Sequence, residues 1–177
     1  EREGIVFVSM PGVPYEMECI MEEEVIPRLK TFFELPAIQH QMIQTVGIGE
    51  SWLSDKIVEW ENQLPPNIRL AYLPSYGKVK LRLTAVGDHL DALRIPLQEQ
   101  TQKVLPLIKK YVFAVGSITL EEAIGKMLIA QQKKVALAES CSGGYVAHSL
   151  TSIPGSSAYF QGAVVPYHNE FKEEVLG

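Results

Sequence analysis

Residues 68–85 constrain this chain most. Ile68-Arg69-Leu70-Ala71-Tyr72-Leu73 and Val79-Lys80-Leu81-Arg82-Leu83-Thr84-Ala85 both alternate apolar with polar side chains, and Pro74-Ser75-Tyr76-Gly77 separates them. A period of two is the signature of a strand with one wet face, and a glycine late in the connection suits a tight turn. The pattern predicts a β-hairpin that must cover one face. The flanking segments supply the cover. Gln41–Val46 is strand-like and ends at Gly47-Ile48-Gly49-Glu50. Ser51–Gln63 reads as a helix with Leu53, Ile57, Val58 and Trp60 apolar, stopped by Pro65-Pro66-Asn67. A long helix over Leu90–Lys109 follows the hairpin, with Pro96 leaving its start ambiguous, and Tyr111–Val115 is a last strand. The order βαββαβ is that of a ferredoxin-like sandwich, a fold that names no single function.

A shorter unit lies on each side. Ile5–Met10 reads as a buried strand and Pro11-Gly12-Val13-Pro14 as the turn into a helix over Tyr15–Leu29. Met17, Ile20, Met21, Val25 and Leu29 give that helix one apolar face, expected to be buried. One strand and one helix cannot cover a sheet, so this is expected to be the tail of a domain. Beyond the middle unit, Thr119 and Glu122 form a capping-box pair opening a helix to about Gln131. Lys134–Ala138 reads as a short buried strand, followed by Glu139-Ser140-Cys141-Ser142-Gly143-Gly144 and a helix to about Leu150. Tyr159–Val165 is a further strand, and Asn169 opens a final helix. Alternating strands and helices imply a mainly parallel sheet. Two strands fall short of a complete domain of that kind. The chain also begins Glu1-Arg2-Glu3-Gly4, without Met or signal-peptide character, and a piece of a longer protein is expected.

Composition narrows the partners. The net charge is −5, no basic run is present, and Glu22-Glu23-Glu24 is the densest charge cluster, read as a solvated helix face. Nucleic acid is therefore not an expected partner. RNA binding by the middle unit is further disfavoured by a lack of clustered strand aromatics. No apolar run approaches the ~20 residues that span a bilayer, so no membrane partner is expected. Cys19 and Cys141 make no CxxC or zinc-ligand spacing, which fits a reducing cytoplasm.

The chemistry gathers in the third unit. Ligand sites in open α/β sheets lie beyond the carboxyl ends of strands, and Ser140 follows such a strand by two residues. Ser142, Gly143 and Gly144 are expected in the first turn of the next helix, where free N–H groups suit an anion or a developing oxyanion. The plainer reading makes Ser140 or Ser142 a helix cap. A serine nucleophile needs a base. None of the four histidines forms a Ser/His/Asp signature; His148 reads as structural, and His168 stays open. Tyr167, at a strand end, and Lys172, in the first turn of a helix, can face the same sheet edge. Ser-Lys pairs are a known variant of the triad, and a tyrosine hydroxyl can relay a proton between them. The lysine must first lose its charge through burial or a neighbouring cation. Interface packing for Tyr167 and solvation for Lys172 are the plainer readings. Ser156 and Ser157, in Pro154-Gly155-Ser156-Ser157-Ala158-Tyr159-Phe160, offer further donors or simple turn residues.

These three motifs, Ala138–Gly144, Pro154–Phe160 and Tyr167–Lys172, closely resemble the C-terminal domain of the CinA family of competence/damage-inducible proteins, a nicotinamide mononucleotide deamidase. Met10–Met17 resembles the end of that family's molybdopterin-binding-like N-terminal domain. Gly47-Ile48-Gly49-Glu50 and Leu70–Ser75 resemble its connecting domain. The resemblance divides the chain into the end of a molybdopterin-binding-like α/β domain (1–35), a ferredoxin-like connecting domain (36–116) and the N-terminal part of a three-layer α/β deamidase domain (117–177).

The resemblance implies a cytoplasmic bacterial amidohydrolase of the pyridine nucleotide cycle in NAD metabolism. It would turn nicotinamide mononucleotide, or a related nucleotide, into the nicotinate form and ammonia. Ser140 would be the nucleophile and Tyr167 with Lys172 the base. Glu139, Ser142, Gly143, Gly144, Ser156, Ser157 and Asn169 would contact substrate. Deamidation needs no cofactor; a divalent metal belongs to the family's N-terminal domain, which is linked to ADP-ribose pyrophosphatase activity. A homodimer is implied. Ser142 stands where Thr is usual, keeping the hydroxyl, and Pro166 and His168 flank Tyr167 where small or polar residues are commoner. The deamidase unit lacks the family's later glycine-rich segments, which puts activity of this chain alone in question. The competing expectation is a non-catalytic scaffold or dimerisation fragment.

Overall fold

A computed structural model describes residues 5–177; Glu1–Gly4, and the reading of them as lacking a signal peptide, lie outside the described residues. The fold is mixed α/β with a mostly antiparallel sheet. Its centre is β1 (Ala37–Val46), α3 (Glu50–Glu61), β2 (Ile68–Ser75), β3 (Lys78–Gly87), α4 (Leu90–Ile108) and β4 (Val112–Val115). The strands lie in the order β2-β3-β1-β4, with every pair antiparallel.

The hairpin forms where the alternation predicts it. Ser75 pairs with Lys78, leaving Tyr76-Gly77 as a two-residue connection in which Gly77 takes φ +68°. A side chain there would be strained. Val79, Leu81, Leu83 and Ala85 point to the covered face of β3 and are buried. Helix α3 contributes Leu53, Ile57 and Trp60 to the same core, and the Trp60 indole N–H donates to Gln100 Oε1 of α4 at 3.2 Å. Val58 is exposed.

Helix α4 runs unbroken from Leu90 with Pro96 and Pro106 inside it, which settles the ambiguous start. An interior proline costs about 3 kcal/mol. Leu93, Leu97, Val104 and Ile108 are buried along one stripe, and each contributes roughly 1.5–3 kcal/mol, enough to hold the helix through its prolines.

The N-terminal segment departs from expectation. Ile5–Met10 is not a buried strand. Only Ile5 makes an isolated bridge, and Ile5, Phe7, Val8 and Met10 are exposed. The helix comes next as α1 (Pro14–Ile20), a π-helical turn (Met21–Val25) and α2 (Ile26–Phe32), and none of its residues is buried. Ile20, Met21, Val25 and Leu29 are half-buried and Met17 is exposed. The physical reason is that among the described residues no second layer packs over this helix. The stripe faces little beyond residues 6–9, with which it encloses a cavity of about 490 Å³ lined by Val8, Val25, Leu29 and Phe32 among others.

The third unit is α5 (Leu120–Ala130), β5 (Val135–Ala138), α6 (Tyr145–Thr151), a 3-10 turn (Ser156–Ala158), β6 (Phe160–Val164) and α7 (Asn169–Leu176). The capping box is present. Glu122 N–H donates to Thr119 Oγ1 at 3.2 Å, and Thr119 N–H donates to Glu122 Oε2 at 2.8 Å. Strands β5 and β6 pair in parallel, as alternation implies. Strand β5 is not buried, however: Val135 and Leu137 are half-buried and Ala136 and Ala138 exposed, because the two-stranded sheet has a bare face. Tyr159 holds the unit together. It is 2% exposed, its hydroxyl donates to Leu150 O at 2.8 Å, and its ring lies against Gly125 of α5. Among the described residues no helix is long and apolar enough to cross a membrane.

Candidate active site

The parallel pairing fixes where the candidate residues leave the sheet. Ala138 pairs with Val164, and Glu139 N–H donates to Val164 O at 2.9 Å. The turn carrying Ser140 and the segment carrying Tyr167 therefore leave the same end of adjacent strands. Gly144 also approaches this segment: a Cβ added to it would lie 3.6 Å from Val165 Cγ2.

The Ser140 turn is built from left-handed glycines rather than from helix. Gly143 has φ +60° and Gly144 φ +93°, and α6 begins only at Tyr145. This corrects the expectation that Ser142, Gly143 and Gly144 form the first helical turn. Gly143 N–H donates to Ser140 O at 3.0 Å, closing the turn.

Glu139 organises the start of α6. Its side chain is buried, at 5% exposure. One carboxylate oxygen accepts from Gly144 N–H at 3.1 Å and Val146 N–H at 3.0 Å, and the other from Ala147 N–H at 2.7 Å. Burial pushes the Glu139 carboxyl up. The hydrogen bonds from Ala147, the Ser142 hydroxyl, Val146 and Gly144 outweigh that push and hold it below its ordinary value. Of the amides that the sequence suggested for an oxyanion, only that of Gly144 donates to this carboxylate; its other partners, Val146 and Ala147, lie in α6. Gly143 N–H is likewise engaged by the turn. The resemblance sets Glu139 against substrate; in the structure its carboxylate accepts from three backbone N–H groups.

The two base candidates sit on the other strand's exit. Pro166 is fully buried and anchors the chain as it leaves β6; Tyr167 beside it is 72% exposed. Lys172 is half-buried in the first turn of α7, and its ammonium donates to Asn169 Oδ1 at 3.3 Å. Among the described residues no hydrogen bond joins the side chains of Ser140, Tyr167 and Lys172; they share a sheet end without being locked together. Ser156 and Ser157 lie in the 3-10 turn behind Gly155, which has φ +81°. His168 precedes α7 without a side-chain capping bond and lies 3.8 Å from Glu170, whereas His148 is exposed on α6 and not packed as a structural histidine would be. Nothing in the sequence links Gly125 to Tyr159, a helix glycine to an aromatic 34 positions later. Among the described residues no three His, Cys, Asp or Glu side chains converge as a metal site would require.

Comparison with known proteins finds relatives of both the middle and the third unit. A profile described as the CinA C-terminal domain matches residues 117–177, and one described as the damage-inducible protein CinA KH domain matches residues 40–114. A CinA-like protein of Cytophaga hutchinsonii is 49% identical over 173 residues, which are 98% of this chain and 41% of that protein. One from Flavobacterium psychrophilum is 44% identical over 178 residues, 100% of this chain and 43% of its own length. This chain thus spans about two-fifths of these relatives. A crystal structure of competence damage-inducible protein A from Klebsiella pneumoniae aligns with 30% of this chain and 33% of its own at 34% identity, with a TM-score of 0.30. Through both matched regions and nearly its whole length, the chain belongs to the CinA family.

Proposed function

We propose that residues 117–177 carry the nucleophile end of a nicotinamide mononucleotide deamidase. The shared sheet end from which Ser140 and the Tyr167–Lys172 segment depart is the observation that carries this reading. Ser140 Oγ attacks the carboxamide carbon. Its proton passes through the Tyr167 hydroxyl to the Lys172 side chain and then to the departing amide nitrogen, which leaves as ammonia. Water hydrolyses the resulting acyl-serine, giving the nicotinate nucleotide and regenerating Ser140. Oxyanion donors come from amides other than those Glu139 occupies. Ser142, Gly143, Gly144, Ser156, Ser157 and Asn169 line the approach, and no cofactor enters the step. The whole protein would be cytoplasmic and dimeric, with pyrophosphatase chemistry assigned to its N-terminal domain.

The strand order β2-β3-β1-β4 supports reading residues 36–116 as a ferredoxin-like connecting domain, with 1–35 closing a molybdopterin-binding-like domain. The matched KH description does not bring nucleic acid with it. A KH module clamps its strand with a Gly-x-x-Gly loop, and residues 40–114 contain no such spacing.

The test is ammonia release from nicotinamide mononucleotide by the longer protein. Ser140→Ala should lower it on the order of 10⁴-fold; undiminished release sinks the assignment. A scaffold role is the second reading, favoured by a core cluster lying wholly in the middle unit. It predicts no release by the parent protein at all.

A further inference from the structure

One residue holds the Ser140 turn at both ends. Glu139 N–H donates to Val164 O at 2.9 Å, where the β5–β6 pairing finishes. Its side chain reaches forward over the turn to the N–H groups of Gly144, Val146 and Ala147, at 3.1, 3.0 and 2.7 Å. Backbone and side chain of Glu139 therefore clasp residues 140–143 between the sheet end and α6. The turn has little stiffness of its own. Gly143 and Gly144 take left-handed angles, which glycine enters and leaves at almost no steric cost. Among the described residues no side-chain hydrogen bond ties Ser140 to Tyr167 or Lys172. The direction of the Ser140 hydroxyl is thus set by its backbone, and its backbone by the clasp.

The anchor has to be a carboxylate. An ionised carboxylate offers about four lone-pair positions and no donor. The N–H groups of Gly144, Val146 and Ala147 and the Ser142 hydroxyl bring four donors to it. The side chain is buried, and its acceptor positions are filled, so none is left for a substrate hydroxyl. Glutamine has the same length but carries an NH2 in place of one oxygen. Whichever way that amide turned, its NH2 would face a backbone N–H: those of Gly144 and Val146 on one side, that of Ala147 on the other. Donor against donor opens the clasp without changing the volume of the side chain. Aspartate keeps both oxygens on a stem one methylene shorter. Attack on an amide tolerates little drift, since a displacement of about 1 Å can cost about a hundredfold in rate.

We propose that Glu139 is a positioning residue: by clasping the Ser140 turn it aims the Ser140 hydroxyl at the amide to be cleaved, and it does not touch the substrate itself. The inference rests on the deamidase reading. The longer protein tests it through two readouts, kcat and KM for ammonia release from nicotinamide mononucleotide, and the rate at which a fluorophosphonate labels Ser140. Ser140→Ala, which removes the labelled hydroxyl, is the blank. Glu139→Gln should lower kcat about 10²-fold, shift KM by less than about twofold and slow labelling in parallel. Glu139→Asp should recover part of both losses. Circular dichroism measures the folded fraction of each variant, and a loss of kcat no larger than the unfolded fraction overturns the proposal. Unchanged kcat and labelling in Glu139→Gln also overturn it. So does a raised KM at unchanged kcat, which would make Glu139 a substrate contact. Rapid labelling of the unaltered protein without ammonia release sinks the deamidase reading alone; slower labelling of Glu139→Gln then still upholds the positioning role, and equal labelling overturns it. An unaltered protein that neither releases ammonia nor labels sinks both.

Discussion

The middle and third units solve the same problem with different means. In residues 37–115 two helices close one face of a four-stranded sheet, and the buried apolar cluster belongs entirely to this unit. In residues 119–177 the residues around a two-stranded sheet bury Ala123, Leu150, Tyr159 and Pro166, alongside the charged Glu139. The first is held by area removed from water, the second by a few directional contacts. Those contacts are the Thr119 capping box, the Tyr159 hydroxyl and the Glu139 carboxylate. The difference teaches where chemistry can reside. The closed core is covered on one face by two helices, while the open sheet end brings the exits of two parallel strands, and with them the proposed Ser140, Tyr167 and Lys172, to one edge.

Breaking the middle core should have the largest effect. Leu81 is fully buried on the inner strand β3, and Leu81→Ala is expected to cost about 2–5 kcal/mol. Both tryptophans, Trp52 and Trp60, lie in α3, so urea titration by tryptophan fluorescence reads this unit. Hydrogen exchange in α5 and β5 should stay nearly unchanged. Loss of protection there in step with the fluorescence would show that the two units unfold as one.

A smaller break tests the third unit. A Cβ on Gly125 would lie 2.7 Å from the Tyr159 ring, which its buried hydroxyl bond holds in place. Gly125→Ala should cost about 1–3 kcal/mol through overpacking. Faster exchange in α5 and β5 with an unaltered fluorescence transition is the expected signature. Equal loss in both signals would contradict the division between the units.

The smallest effect in neutral solution concerns charge. The Glu139 carboxyl is lowered from its ordinary 4.5 in the folded state. The unfolded chain therefore binds the extra proton first, and folding is favoured above that value. This contribution is complete above about pH 4.5 and disappears as pH falls through the lower, folded value. Glu139→Gln should flatten the acid limb of third-unit stability, followed by exchange or near-ultraviolet dichroism from pH 3 to 6. An unchanged limb would mean that another carboxyl governs it.

Much of the fold was legible because its signals are local. Alternation gave β2 and β3, apolar spacing gave α3 and α4, and Thr119 with Glu122 marked the start of α5. The misreadings share a cause: burial is a property of neighbours. Ile5–Met10 has the composition of an inner strand, yet it lies exposed beside a single helix. The spacing of Ser140, Tyr167 and Lys172 was visible in the motifs. The role of Glu139 was not, because a carboxylate before a serine turn looks the same whether it faces a ligand or folds back onto amides 5–8 residues ahead.

That folded-back carboxylate has an effect at longer range. A helix start carries roughly half a positive charge, which ordinarily draws anions through the solvent. The full negative charge of Glu139 seated on it more than offsets that half charge. An incoming phosphate gains no guidance from that helix end. On the proposed deamidase reading, capture of a nucleotide would depend on basic side chains brought in from elsewhere, and its association rate should respond to charge changes at those residues while remaining indifferent to the length of α6.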